Sequence, residues 1–250
     1  KDADKIVSSI DWDPKKSYLL KNDLMTIDLL TANDWDRPVY FAITVGSSSY
    51  LKLEPYFQVE GLAYRLVPIK TKDSNKGKIG RMDTEIVYEN MMNKFKWGGI
   101  NDPRVYLDEN NQRMLMNFRS NFARLALALF EEGKKEKSLE VADRCIELMP
   151  HKFVPYNYFN LQLSEVYYKL GEIEKGNEII ALLADVSEEK INYFFSLDRE
   201  DASFFQDELK RDLYMMQEFV KVAERNKQNE MKDDLEKRFS ILYSIYSQGS

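Results

Sequence analysis

Residues 117–150 read NFRSNFARLALALFEEGKKEKSLEVADRCIELMP. Apolar residues recur at helical spacing on both sides of a short polar turn at Glu132–Lys135, so the stretch reads as two amphipathic helices folded back on each other. The same figure returns at residues 158–186, YFNLQLSEVYYKLGEIEKGNEIIALLADV, with Gly171 standing where Gly133 stood. Two copies of one helical hairpin predict a stack in which each buries its apolar face against the next. A third, more divergent pair is expected from FFQDELKRDLYMMQEFVKVAERN (204–226) and MKDDLEKRFSILYSIYS (231–247), the last helix polar enough outside to cap the stack. Between them EEKINYFFSL (188–197) reads as an additional helix.

These hairpins resemble the tetratricopeptide repeat, which alternates large and small apolar positions over about 34 residues. In the first copy Phe122, Leu125, Ala126, Leu129, Ala142 and Pro150 fall at the positions that repeat uses, with Ser138 and Cys145 at its small positions. In the second, Leu163, Ser164, Tyr167, Gly176, Ile180 and Leu183 do so. The physical sense is close packing: a small residue on the second helix lets the first approach, and large residues fill the groove between hairpins. The chain departs from the consensus by its longer spacing, owing to the insert HKFVPYNY (151–158), and by lacking the repeat's Trp and Leu-Gly pair at their places.

Working outward, the N-terminal part alternates signals. DLMTIDLL (23–30) places Leu24, Ile27 and Leu29 or Leu30 on one helical face, with Asn22 as N-cap. RPVYFAITV (37–45) is β-branched and aromatic, and Pro38 fits only a strand start or edge, so Val39–Val45 is expected as a strand. YFQVEGLAYRLVPI (56–69) is interrupted by Gly61 and reads as a bulged strand or a strand followed by a turn. KTKDSNKGKIGR (70–81) loses all periodicity and reads as a solvated loop whose cations are Lys70, Lys72, Lys76, Lys78 and Arg81. In IVYENMMNKFKW (86–97), Val87, Met91 and Phe95 are four apart, a helix that Gly98–Gly99 would end. The fold class is therefore α+β: a small mixed α/β module at 11–108, then an all-α tetratricopeptide-like stack at 109–250.

An apolar fraction of 44% with 13% aromatics argues for a folded chain. A net charge of −6 with interspersed signs gives no attraction to phosphate backbones, so nucleic acid is not an expected partner. No window reaches the ~18–20 apolar residues of a membrane span, and KDADKIVSSI lacks the regions of a signal peptide. The chain opens on Lys1, which reads as a processed chain or a piece of a longer one.

Chemistry-bearing motifs are scarce. His151 is the only histidine and follows Pro150 at a helix end, where a capping role is expected. With Cys145 it supplies two of the four ligands a zinc site takes, and neither a nucleotide loop nor a nucleophile triad is spelled out. No cofactor, metal or catalytic residue is assigned. Carboxylate pairs, Asp34 with Asp36 or Glu54 with Glu60, are the one catalytic device open, as a third reading of glycosidase type. Aromatics weigh more as binding elements: Trp35, Tyr40, Tyr56, Phe57 and Tyr64 beside Arg37 and Arg65 offer flat faces for a sugar ring or a peptide side chain, against the alternative of core packing. Asn117, Arg119, Tyr156 and Asn160, read as groove-facing residues of the repeats, are a second candidate surface.

Several strings carry a second resemblance: NDWDRPVYFAITVG (33–46), YFQVEGLAYRLVPIK (56–70), ENMMNKFKWGG (89–99), VYLDENNQRMLMNFRSNFARLA (105–126) and LMPHKFVPYNYF (148–159). From about Lys15 to Leu197 the chain is similar to the C-terminal region of large bacterial membrane proteins, abundant in Bacteroidota, that resemble protein O-mannosyltransferases of the GT-C class. The resemblance implies a non-catalytic, exported domain on the periplasmic face of the inner membrane, joined to the membrane through a missing N-terminal part. Its implied partner is a protein or peptide, including a glycosylation acceptor, and no catalytic residue carries over. The alternative is a free-standing tetratricopeptide adaptor.

Overall fold

The structure, a computed structural model, describes residues 2–71 and 79–249. The chain divides into two compact units, Lys1–Gly98 and Gly99–Ser250. Its class is α+β, a small mixed sheet in the first unit and a helical stack in the second.

In the first unit, helix α1 (Lys21–Asn33) precedes a four-stranded sheet of β1 (Tyr40–Ala42), β2 (Phe57–Val59), β3 (Ala63–Leu66) and β4 (Arg81–Met82). The strand order is β1-β3-β2-β4, antiparallel except where β2 and β4 run parallel. Gly61, at φ +103°, turns β2 back into β3, so the interrupted apolar run is a hairpin. Alternation sorts the two faces. Phe41, Tyr64 and Val59 point one way with the core, while Tyr40, Arg65, Gln58 and Arg81 lie side by side across all four strands on the other. The core holds Tyr50, Leu51, Leu53, Tyr56, Phe57, Val59, Tyr64 and Leu66, with Ile27 and Leu30 of α1 packed against it. Tyr64 stacks on Phe57 at 5.4 Å, and Tyr50 meets both rings edge-on.

Several sequence expectations are corrected here. The first strand is shorter than Val39–Val45, ending at Ala42. Asn22 does not cap α1; the helix begins at Lys21, and Asp23 Oδ2 accepts from the Leu20 N–H at 2.9 Å. Leu24 and Leu29 face outward at 54% and 52% exposure because Asp23, Ile27 and Leu30 take the inner face. The helix from Thr84 is α2 (Thr84–Tyr88) followed by a π-helical segment, Glu89–Lys94, which ends before Gly98–Gly99. Arg81 lies in β4 rather than a loop; Lys72, Lys76 and Lys78 lie outside the described residues.

The second unit contains α3 (Glu109–Glu131), α4 (Lys135–Leu148), α5 (Tyr158–Leu170), α6 (Ile173–Ser196), α7 (Arg199–Phe204), α8 (Gln206–Arg225) and α9 (Asn229–Gly249). The pairs α3/α4, α5/α6 and α8/α9 are the three hairpins. All three close alike: Gly133, Gly171 and Lys227 are left-handed, and each N–H donates three residues back, to Phe130, Tyr168 and Glu224. The following N–H, of Lys134, Glu172 or Gln228, donates five residues back, which completes a Schellman turn. Ser138 and Gly176 sit at the close crossings: Ser138 Oγ donates to the Ala126 carbonyl at 2.6 Å, and a Cβ on Gly176 would meet the Tyr168 ring at 2.7 Å.

The stack is not uniform. The first two hairpins join through α3 and α5, whereas the third lies chiefly against α6. EEKINYFFSL is no separate helix but the second half of α6. The terminal helix is less polar outside than a cap would be, since Ile241, Tyr243 and Ile245 are 54%, 52% and 44% exposed. No described helix is long and apolar enough to cross a membrane.

Candidate functional site

Two cavities stand out, one in each unit. In the first, α1 ends in a strained loop. Asp34 and Trp35 are both left-handed at φ 40° and 64°, a conformation that costs a residue with a Cβ about 1–2 kcal/mol. Asn33 holds the loop shut from both sides, its Nδ2 donating to the Arg37 carbonyl at 2.7 Å and its Oδ1 accepting from the Arg37 N–H at 3.2 Å. The bracket displays Trp35, 53% exposed, on the rim of a cleft of about 170 Å3 lined also by Trp12, Leu30, Thr31, Val39 and Leu53. Trp12, in the same lining, is fixed by an Nε1–H bond to the Leu51 carbonyl at 2.8 Å.

On the outer sheet face the candidates Tyr40 and Arg65 are cross-strand partners. Both converge on Glu60, whose Oε2 accepts from the Tyr40 hydroxyl at 3.0 Å and whose Oε1 accepts from Gln58 Nε2 at 2.9 Å and lies 3.5 Å from Arg65 Nη1. Burial first, and then the Glu60 carboxylate, raises the Tyr40 hydroxyl above its ordinary pKa. Glu60 thus ties β1, β2 and β3 together on this face. Tyr56 and Tyr64 are core residues, at 4% and 9% exposure, and not surface. Asp34, Trp35, Asp36 and Arg37 share the strained loop.

In the second unit a cavity of about 280 Å3 opens between α4 and α6. Asp143 and Glu147 come from α4, Tyr156 from the connecting loop, Tyr167 from α5, and Lys175, Glu178 and Ile179 from α6. Asp143 is the hub: its Oδ1 accepts from the Tyr167 hydroxyl at 2.8 Å, and Lys175 Nζ bridges both oxygens at 2.8 and 2.9 Å. Lys175 also lies 5.5 Å from the Tyr167 ring centre. Desolvation raises the Tyr167 hydroxyl, aided by its bond to Asp143, and pushes Tyr156 up to about 12, so both remain neutral donors.

The insert explains this opening. Arg119 of α3 is fully buried and donates Nη1 to the Pro155 carbonyl at 2.7 Å and Nη2 to the carbonyls of Met149, at 2.9 Å, and Val154. Its guanidinium lies 5.2 Å from the Tyr156 ring centre. Of the residues expected to face the groove, Arg119, Tyr156 and Asn160 are therefore buried: Arg119 holds the loop, and Asn160 Oδ1 accepts from the Asn157 N–H at the start of α5. Only Asn117 is half-exposed, on α3. His151 Nδ1 accepts from the Tyr156 N–H at 3.1 Å, a cap within the loop.

Sequence reasoning missed Trp12, Asn33, Asp143 and Lys175. Asn33 had a readable signal, an Asn at a helix end, where left-handed turns begin. Asp143 and Lys175 had none, since they are 32 residues apart and meet only when hairpins stack.

Residues 1–86 match the family model of TMEM260-associated domain 2. No curated protein and no solved structure matches the chain. The matched segment carries α1, all four strands and the Trp12–Trp35 cleft, and it ends inside α2. The match lies wholly within the first unit.

Proposed function

We propose that this chain is a non-catalytic, exported part of a membrane-bound glycosyltransferase-like protein, on the periplasmic face of the inner membrane, where it holds a protein partner or glycosylation acceptor. The observation that carries the reading is the match of residues 1–86 to a TMEM260-associated domain. The helical stack supports the holding role, because hairpins stacked side by side offer an extended surface to a segment through many weak contacts. The Tyr156–Tyr167 cavity adds a recess on that surface with a few fixed polar groups.

The test is an immunoblot of native cells with an antibody to this domain. A band well above 29.5 kDa that stays with carbonate-washed membranes is the expected result. A soluble band near that mass would replace the reading with a free adaptor that binds peptides or a partner protein.

A further inference from the structure

We propose that the recess between α4 and α6 takes the cationic side chain of an arginine carried on a segment of the partner protein. The inference deepens the partner-holding reading, on which it rests, by naming the group that the partner inserts.

Most of the lining is already engaged. Asp143 receives both the Tyr167 hydroxyl and Lys175 Nζ, so that ammonium is neutralised within the protein. Glu147 Oε2 accepts from Arg144 Nη1 at 2.6 Å. Two lining groups are left. Glu178, exposed on α6, has a carboxylate with neither hydrogen bond nor ion pair among the described residues. Tyr156 is 5% exposed, with its ring against Arg119 and edge-on to His151, yet its hydroxyl has no hydrogen-bond partner among the described residues. Glu178 is among the charges that act on this hydroxyl, which sets the phenol oxygen on the Glu178 side of the recess. A buried hydroxyl is normally hydrogen-bonded, so one that lines a cavity unpaired marks where a ligand atom belongs.

Charge and shape select the occupant. Three carboxylates against one ammonium leave the lining two charges negative, which favours a cation and repels an acidic side chain. An apolar side chain would strip water from Glu178 and Tyr156 and return no hydrogen bond to either. Arginine answers both demands. Its guanidinium carries several donors in a planar fork, enough to pair with the Glu178 carboxylate and reach the Tyr156 oxygen together, while its apolar stem lies on Ile146 and Ile179. At about 280 Å3 the recess is just under the ~300–1,000 Å3 of sites for whole small-molecule ligands, which suits one long side chain whose backbone stays outside.

The test is an NMR titration of the full chain, labelled at its isoleucine methyls, with N-acetyl-arginine amide up to about 20 mM, a range suited to single-side-chain affinities. The methyl signals of Ile146 and Ile179, assigned through Ile146→Val and Ile179→Val, should shift together and saturate. N-acetyl-citrulline amide, the uncharged isostere, and N-acetyl-glutamate amide should bind at least about fivefold more weakly. Glu178→Gln should weaken arginine binding by about fivefold or more and Tyr156→Phe by about twofold or more. Circular dichroism should stay unchanged in both variants, since neither side chain donates or accepts a hydrogen bond among the described residues. Glu189→Gln makes the same charge change further along α6, outside the recess, and should leave binding intact. No shift at the two isoleucines, equal binding of the citrulline probe, or arginine binding that survives Glu178→Gln would each overturn the proposal. Membrane attachment is read separately by the immunoblot, so failure here and failure of the broader reading are distinguishable.

Discussion

Arg119 has no exposed surface, and its three carbonyl partners, Met149, Val154 and Pro155, all belong to the segment that joins the first two hairpins. A buried cation without a carboxylate is stable here because the planar fork meets several carbonyl dipoles at once, which an ammonium on a flexible stem does not reproduce. Arg119→Lys is therefore expected to destabilise by about 2–4 kcal/mol, a fall in Tm of roughly 5–15 °C. An unchanged melting curve would mean that the loop is held by its apolar residues alone. Asp23 makes the corresponding argument in the first unit. Its carboxylate, 1% exposed, accepts from Lys16 Nζ at 2.7 Å and from the Leu20 N–H, and these bonds, Lys16 first, hold its pKa below the ordinary carboxylate value. A depressed folded pKa contributes stability that is fully present above the unfolded value of about 3.9 and is lost as pH falls through the lower folded value. Urea midpoints should thus separate wild type from Asp23→Asn at pH 7 and draw them together in acid; an equal gap at both ends would assign the effect to packing.

The helical hairpins share one closing device, and only two of the three wear it openly. Gly133 and Gly171 are the residues that tolerate a left-handed turn, and their recurrence made the first two hairpins legible. Lys227 holds the same turn at φ 60° with a side chain that opposes it, which is why the third pair was readable only from its apolar periodicity. Lys227→Gly should then stabilise the stack by about 1 kcal/mol, raising Tm by roughly 2–4 °C. A loss of stability would show that the Lys227 side chain contributes a contact outweighing the strain. The elements that escaped sequence reading share a cause. The π-helical turn at Glu89–Lys94 keeps the apolar spacing of an α-helix up to Met91, and the second half of α6 runs on without a stop signal, so neither altered the pattern being read. About Gly61 the sequence left a bulged strand and a strand followed by a turn both open, and the register that puts Tyr40 against Arg65 comes from the folded hairpin alone.

At the scale of the whole molecule, the change from alternating signals to helices alone was visible because periodicity is local, whereas cavity-lining groups brought together by stacking were not. Asn117, Arg119, Tyr156 and Asn160 look polar and repeat-facing in the sequence, yet Arg119 and Asn160 carry the buried bonds that fix the loop and the α5 start. The loop Asp34–Arg37 was legible as aromatic next to charge, and its strain was not, since a φ angle is not spelled by residue type. The second unit has its own core, running from Phe122, Leu125 and Leu129 through Val141 and Cys145 to Leu163, Ile180, Met216 and Phe219, all fully or nearly fully buried. Hairpins stacked in this way draw stability from neighbours within the array, so residues 99–250 expressed alone should fold. The expected outcome is a helical circular-dichroism spectrum with a single cooperative melt, and Arg119→Lys should lower the midpoint of the fragment as it does that of the full chain. A broad, non-cooperative melt with strong dye binding would instead describe a collapsed state without fixed packing, and would mean that the stack requires residues 1–98 to reach its native form.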